Sequence, residues 1–257
     1  MKILKISLYF FAAATFLVAC ERESVIPSPS ETTVGLANLK VIYAMPYVVD
    51  APVQVKINDN AVSGLITCTT PFPGGGLNTG GGSYDHYLGL QPGVLKVSIA
   101  VPQKGTAVDS IPFYTGTVTL EANKFYSLFI TDTAANAKQY LVTENVARPV
   151  DPLTTRFKFI NVMPNQPALD LYFDDVKMAS NVAYLGTSAD FIVPRDSVVK
   201  ISIRPAGAPL AQTPIYTYPA TATSFYTVPR DRVMTIYANG YSGATGNRLG
   251  VVSLYYN

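Results

Sequence analysis

Leu39-Lys-Val-Ile-Tyr-Ala-Met-Pro46 returns 118 residues later as Phe157-Lys-Phe-Ile-Asn-Val-Met-Pro164. The correspondence continues downstream: Val53-Gln-Val-Lys-Ile-Asn-Asp59 falls on Leu169-Asp-Leu-Tyr-Phe-Asp-Asp175, Lys96-Val-Ser-Ile99 on Lys200-Ile-Ser-Ile203, and Leu120 to Asp132 on Val228 to Gly240. Matches in one order, with small changes of offset, mean two copies of one fold. The Pro-rich segment Arg148-Pro-Val-Asp-Pro152 reads as the linker between them.

Inside each copy the apolar residues alternate, as in Val53/Val55/Ile57 against Gln54/Lys56/Asn58 and Val199/Ile201/Ile203 against Lys200/Ser202/Arg204. Period two is the mark of strands with one face buried. No capped run has apolar spacing near 3.6, whereas Asn58-Asp59-Asn60, Pro92-Gly93 and Asn239-Gly240 supply turn chemistry between β-branched and aromatic segments. The expectation is an all-β chain of two tandem antiparallel β-sandwich (Ig-like) domains, each of six to eight strands, with a closed barrel as the other architecture of this pattern. The boundaries are residues 36–148 for the first domain and 152–257 for the second.

A strand ending in Ala-Met-Pro or Val-Met-Pro, then an alternating strand and hairpin, then Tyr87 and Pro92-Gly93 before Leu95/Val97/Ile99, resembles the bacterial family called domain of unknown function 4397. The resemblance covers residues 36–257, and the second copy departs by carrying Phe191 at the Tyr position and Asp196-Ser197 at the Pro-Gly turn. It implies exported Ig-like modules on bacterial surfaces and brings no functional residue with it.

Lys2 and Lys5 precede an apolar stretch from Ile6 to Ala19, broken only by Ser7 and Thr15, which is too short to span a bilayer. Its end, Leu17-Val18-Ala19-Cys20, resembles the bacterial lipobox. That resemblance implies a signal peptide at residues 1–19, cleavage before Cys20 and lipidation of Cys20, hence a membrane partner through the anchor. Residues 20–35, rich in Pro, Ser and Thr after Glu21 and Glu23, read as a flexible tether. The expected location is the outer membrane, on the cell surface or the periplasmic face.

Removing the two lysines of the signal leaves 17 basic against 17 acidic residues, and neutrality argues against a nucleic-acid partner. With Cys20 lipidated, Cys68 has no intramolecular disulfide partner, so hydrophobic cores must hold the chain together. General acid–base chemistry usually needs a His, and the sole one is His86. Ser83-Tyr84-Asp85-His86 has the residue types of a triad, but close sequence neighbours seldom converge as nucleophile, base and orienter, and no Gly-x-Ser-x-Gly elbow accompanies it. One His and one thiol cannot make a zinc set; Asp59 and Asp174-Asp175 lie at matching turns where Asx residues serve the backbone; Gly240 to Gly246 lacks the ending of a phosphate loop. No catalytic residue, metal or cofactor is expected.

What remains is a non-catalytic binding or structural lipoprotein of the cell envelope. The alternatives are a surface-fibre subunit assembled by strand addition, or a glycan-binding component of an uptake system. The copies differ most between Thr67 and Tyr84, where the first carries about twelve extra residues and six glycines. Long loops are often functional, so Phe72, Leu77, Tyr84, His86 and Tyr87 are the candidate contacts to an envelope protein or glycan, with Tyr255-Tyr256 a further aromatic pair worth testing.

Overall fold

The computed structural model describes residues 34–47, 51–74, 86–103, 105, 108–221, 223–246 and 250–257. Cys20, Leu77 and Tyr84 lie outside them. The first half of the chain forms β1 (Ala37–Ala44), β2 (Val53–Ile57), β3 (Asn60–Ile66), β4 (Pro71–Phe72), β5 (Leu88–Leu90), β6 (Gly93–Pro102), β7 (Asp109–Leu120), β8 (Phe125–Thr131) and β9 (Lys138–Glu144). The second forms β10 (Thr154–Asn161), β11 (Ala168–Phe173), β12 (Val176–Ala183), β13 (Gly186–Thr187), β14 (Phe191–Pro194), β15 (Val198–Val199), β16 (Ile201–Pro205), β17 (Tyr216–Tyr218), β18 (Tyr226–Thr227), β19 (Arg232–Asn239) and β20 (Val251–Tyr256). A short 3-10 turn lies at Ala134–Asn136.

Each half is a sandwich. In the first, sheet β3-β2-β6-β7 faces sheet β4-β1-β8-β9, with β5 also on β1; in the second, β12-β11-β16-β17 faces β13-β10-β19-β20, with β14 also on β10. Between the first pair lie Leu39, Val41, Val55, Ile99 and Leu128, among others, and between the second pair Phe157, Phe159, Leu171, Ile203 and Ile236. The pairing is antiparallel except at β1–β8 and β10–β19, which run parallel. A parallel pair needs a long crossover, and the whole opposite sheet lies between its two strands in the chain.

The matching hairpins show why the sequence turns where it does. Asn58 and Asp59 both sit at positive φ (49° and 67°), as a two-residue hairpin turn of this hand requires, and the Lys96 amide donates to Asn58 Oδ1 at 2.9 Å. In the second copy Asp174 has φ 51° and its Oδ1 accepts from the Lys200 amide at 2.9 Å. These carboxamide and carboxylate groups hold turns to the neighbouring strand.

A third buried cluster joins the sandwiches. Residues of β1 alternate: Leu39, Val41 and Tyr43 enter the first core, while Ile42 and Ala44 point the other way. There they meet Phe129, Val142, Ile160, Val162, Tyr237 and Tyr255. These eight are four pairs of equivalent positions, Ile42 with Ile160, Ala44 with Val162, Phe129 with Tyr237 and Val142 with Tyr255, as strand registers establish. The two copies therefore dock through the same face of each, with sheets stacked four deep.

Strand register also revises one alignment. Leu39 pairs with Leu88 and Phe157 with Phe191, so the position equivalent to Phe191 is Leu88, not Tyr87, and the first copy has thirteen extra residues where twelve were expected. A slip of one residue exchanges the faces of a strand. Leu88 turns into the first core, and Tyr87 turns away from it, toward the second copy.

Candidate functional site

The face shared by the two copies is apolar at one end and polar at the other, and the polar end brings together the buried side chains of Lys40, Lys158, Glu144, Tyr87 and Tyr255. Lys40 on β1 and Lys158 on β10 occupy equivalent positions, each the second residue of its repeat motif, and are 0 % and 5 % exposed. Neither can reach bulk solvent from the middle of a strand whose other face lines a core. Their neighbours come from strand ends distant in sequence: Glu144 closes β9, Tyr255 lies on β20, Asn257 follows it, and Tyr87 precedes β5.

The connections are specific. Lys158 Nζ forms an ion pair with Glu144 Oε2, both side chains being nearly fully buried. Asn257 Nδ2 donates to the same Oε2 at 3.3 Å and to Thr235 Oγ1 at 2.7 Å. The Tyr255 hydroxyl donates to Glu144 Oε1 at 3.1 Å, and the Tyr87 hydroxyl donates to Asn257 Oδ1 at 3.1 Å. Lys40 Nζ lies 4.5 Å from the centroid of the Tyr87 ring and 4.8 Å from that of Tyr255, within range of a cation–π attraction. Burial, reinforced by the negative charge of Glu144, holds the Tyr255 phenol well above its ordinary range, so it acts here as a hydrogen-bond donor.

At the other end the same face is tied by Tyr237, whose hydroxyl donates to the Thr69 carbonyl at 2.7 Å, and by Thr131, whose hydroxyl donates to the Val162 carbonyl at 2.8 Å. Tyr241 donates to Asp132 Oδ1 at 2.9 Å. Each of these bonds crosses from one copy to the other.

The sequence candidates are placed as follows. Phe72, on β4, is half-buried and packs on the first core. Tyr87 is buried between the copies and meets Phe125 edge-on at 5.0 Å between centroids. His86 is half-buried beside it. Leu77 and Tyr84 fall outside the described residues, so the five are not seen together. Tyr255 is fully buried, inside the shared face. Reading the sequence did not single out Lys40, Lys158, Glu144 or Asn257. The available signal was a lysine at the same place in two largely apolar motifs. Elsewhere, Asp170 is 1 % exposed and is held by Lys177 Nζ at 2.7 Å and by the amides of Asn181 at 2.7 Å and Gly207 at 3.1 Å. Burial pushes this carboxyl up, but those donors outweigh it and keep it below the usual carboxylate range. Among the described residues no three His, Cys, Asp or Glu side chains form a group able to hold a metal ion.

Residues 37–172 match the model of a family described as domain of unknown function (DUF4397), a span that crosses from the first copy into the second. No curated protein matches the chain. Among solved structures, the Bacillus anthracis TIE protein is 13 % identical, with 81 % of this chain and 34 % of that one covered and a TM-score of 0.22. The present chain thus spans about a third of its length. A structure titled as α-glucan recognition by family 41 carbohydrate-binding modules from streptococcal virulence factors is 10 % identical, with 86 % and 97 % covered and a TM-score of 0.26.

Proposed function

The chain belongs to the family described as domain of unknown function (DUF4397), and from that premise we propose that it is a non-catalytic structural or binding lipoprotein of the bacterial envelope. In this reading Cys20 carries the lipid, residues 20–35 form the tether, and the two Ig-like sandwiches form one stiff body held off an outer membrane. The observation that carries it is the third buried cluster. Two modules strung on a linker need no common core, whereas a body meant to hold a fixed length and present a fixed surface gains stiffness from one. An extended linker leaves domains free to swing; here the linker is tied down as well, because Arg148 bonds Asp231 at 2.8 Å and Arg156 donates to the carbonyls of Asn145 and Ala147 at 2.6 and 2.7 Å.

The test is made in cells. The protein should incorporate a labelled fatty acid, fractionate with membranes, and, when released by cutting within the tether, tumble in solution with the rotational correlation time of one body. An unlabelled protein in the soluble fraction overturns the anchored reading. Two independently tumbling halves overturn the stiff one.

A further inference from the structure

We propose that Lys158 and Asn257 join covalently, through an amide bond that the protein forms on itself with Glu144 as proton carrier. The shared face holds every group this reaction requires. An amine, a carboxamide and a carboxyl meet at one atom: Glu144 Oε2 is bonded by Lys158 Nζ and by Asn257 Nδ2 at 3.3 Å. The carboxamide has a defined orientation, because its nitrogen faces two acceptors, Glu144 and the Thr235 hydroxyl at 2.7 Å, and its oxygen faces a donor, the Tyr87 hydroxyl at 3.1 Å. Lys158 and Glu144 are buried, which strengthens their polar contacts, while Asn257 is half-buried at the edge of the face, where the departing ammonia has a way out. The groups come from both copies, Tyr87 and Glu144 from the first and Lys158 and Asn257 from the second, so the site exists only when the copies are docked.

The step balances without an outside reagent. Lys158 passes a proton to Glu144, and the freed Nζ electron pair attacks Cγ of Asn257. As the new C–N bond forms, negative charge develops on Oδ1, where the Tyr87 hydroxyl already points, which is where a donor lowers the barrier most. Glu144 returns its proton to Nδ2 and takes one from Nζ. The C–Nδ2 bond then breaks and ammonia departs with the proton from Glu144 as ammonium. One lysine ammonium and one carboxamide become one secondary amide and one ammonium; nothing is oxidised or reduced. The reaction runs once per molecule, so it leaves the non-catalytic reading toward other molecules untouched. It does not depend on anchoring, and either can fail alone.

The product would tie β10 to the end of β20, across β19, closing the second sandwich at its first and last strands. The experiment is peptide mapping of the full chain, purified from detergent-lysed whole cells. The expected result is a branched peptide joining the Lys158 and Asn257 segments, one ammonia lighter than their sum, with no cleavage by trypsin after Lys158. Lys158→Arg and Glu144→Gln should each give unlinked peptides of full mass, and Tyr87→Phe should slow linkage in freshly made protein. Recovery of both wild-type segments unlinked overturns the proposal whether or not any variant folds. A branch at Lys40 overturns the choice of nucleophile. A product one water lighter, joining Lys158 to Glu144, overturns the choice of electrophile.

Discussion

Phe129→Ala isolates the energy of the shared face, because Phe129 belongs to neither sandwich core. Its ring is fully buried, and lies edge-on to Tyr237 at 5.4 Å and tilted to Tyr255 at 6.3 Å between centroids. Truncating a buried Phe costs about 3–5 kcal/mol in lost transfer energy, packing and cavity, and within that total each aromatic pair accounts for roughly 0.5–1.5 kcal/mol. Both rings across the face belong to the second copy, so the loss falls mainly on docking, and about 4 kcal/mol is the expected total. For a chain of this size each kcal/mol moves Tm by roughly 2–4 °C, which predicts a fall of about 10 °C if the copies unfold together. Differential scanning calorimetry reads both quantities. The wild type should give one transition with calorimetric and van't Hoff enthalpies equal, and the variant a broadened or split melt with the calorimetric value the larger. Leu128→Ala, on the same strand but in the first core, is the control and should lower the first copy without uncoupling it. A Phe129→Ala loss under about 1 kcal/mol, with an unaltered single melt, would mean that the face adds nothing to stability and would refute the argument.

Asp170→Asn should cost about 2 kcal/mol, since a carboxamide presents N–H to donors that a carboxylate accepts, and urea denaturation at neutral pH measures it. The pH dependence follows from the depressed carboxyl: its stabilisation is complete above the unfolded value of about 4 and is lost as pH falls through the lower folded value. The wild type should therefore approach the variant in stability below about pH 4; a gap that persists at acid pH counts against the linkage. Residues 152–257 made alone retain their own core but bare Ile160, Val162 and Tyr237, and should fold and pair through that face, with sedimentation showing a concentration-dependent dimer; a monomer at every concentration refutes self-complementarity. Cys20→Ala should abolish fatty-acid labelling, and normal labelling of that variant would end the lipoprotein reading. Shortening residues 75–81, which spares Phe72 on β4, should leave the melt unchanged while reducing capture of an envelope protein or glycan; capture at full strength by the shortened, folded protein removes this loop as the contact.

The strands and the duplication were legible because period two and the repeated turn chemistry are local. Val53/Val55/Ile57 alternate because one face of β2 meets a core and the other largely does not. The parallel pairing of β1 with β8 was not legible, since nothing in either segment encodes strand direction. Neither was the slip between Tyr87 and Leu88, because both residues fit a strand and only the partner strand decides which one turns inward.

The shared face was half legible, and the reason lies in Leu39 to Pro46. A strand buried on one side alternates; this one reads Leu-Lys-Val-Ile-Tyr-Ala-Met with Ile42 and Ala44 breaking the alternation, and a continuous apolar run signals burial on both sides. In Phe157 to Pro164 the equivalent Ile160 and Val162 break the alternation too, around Asn161. Two copies that each bury a second face, in one chain, can satisfy both by docking those faces together, as identical subunits do about a two-fold axis. Phe129 meets its own equivalent, Tyr237, and Glu144 bonds its own equivalent, Asn257, the contacts expected for residues near such an axis. Duplication then allows what a homodimer cannot have: the two halves of the face can diverge. Were both copies to carry Glu144, two carboxylates would meet in the interior, and were both to carry Asn257, Lys158 would lose its acid. One acid and one amide at a single symmetric position satisfy a buried lysine and each other, and that asymmetry is what brings an amine, a carboxyl and a carboxamide to one atom.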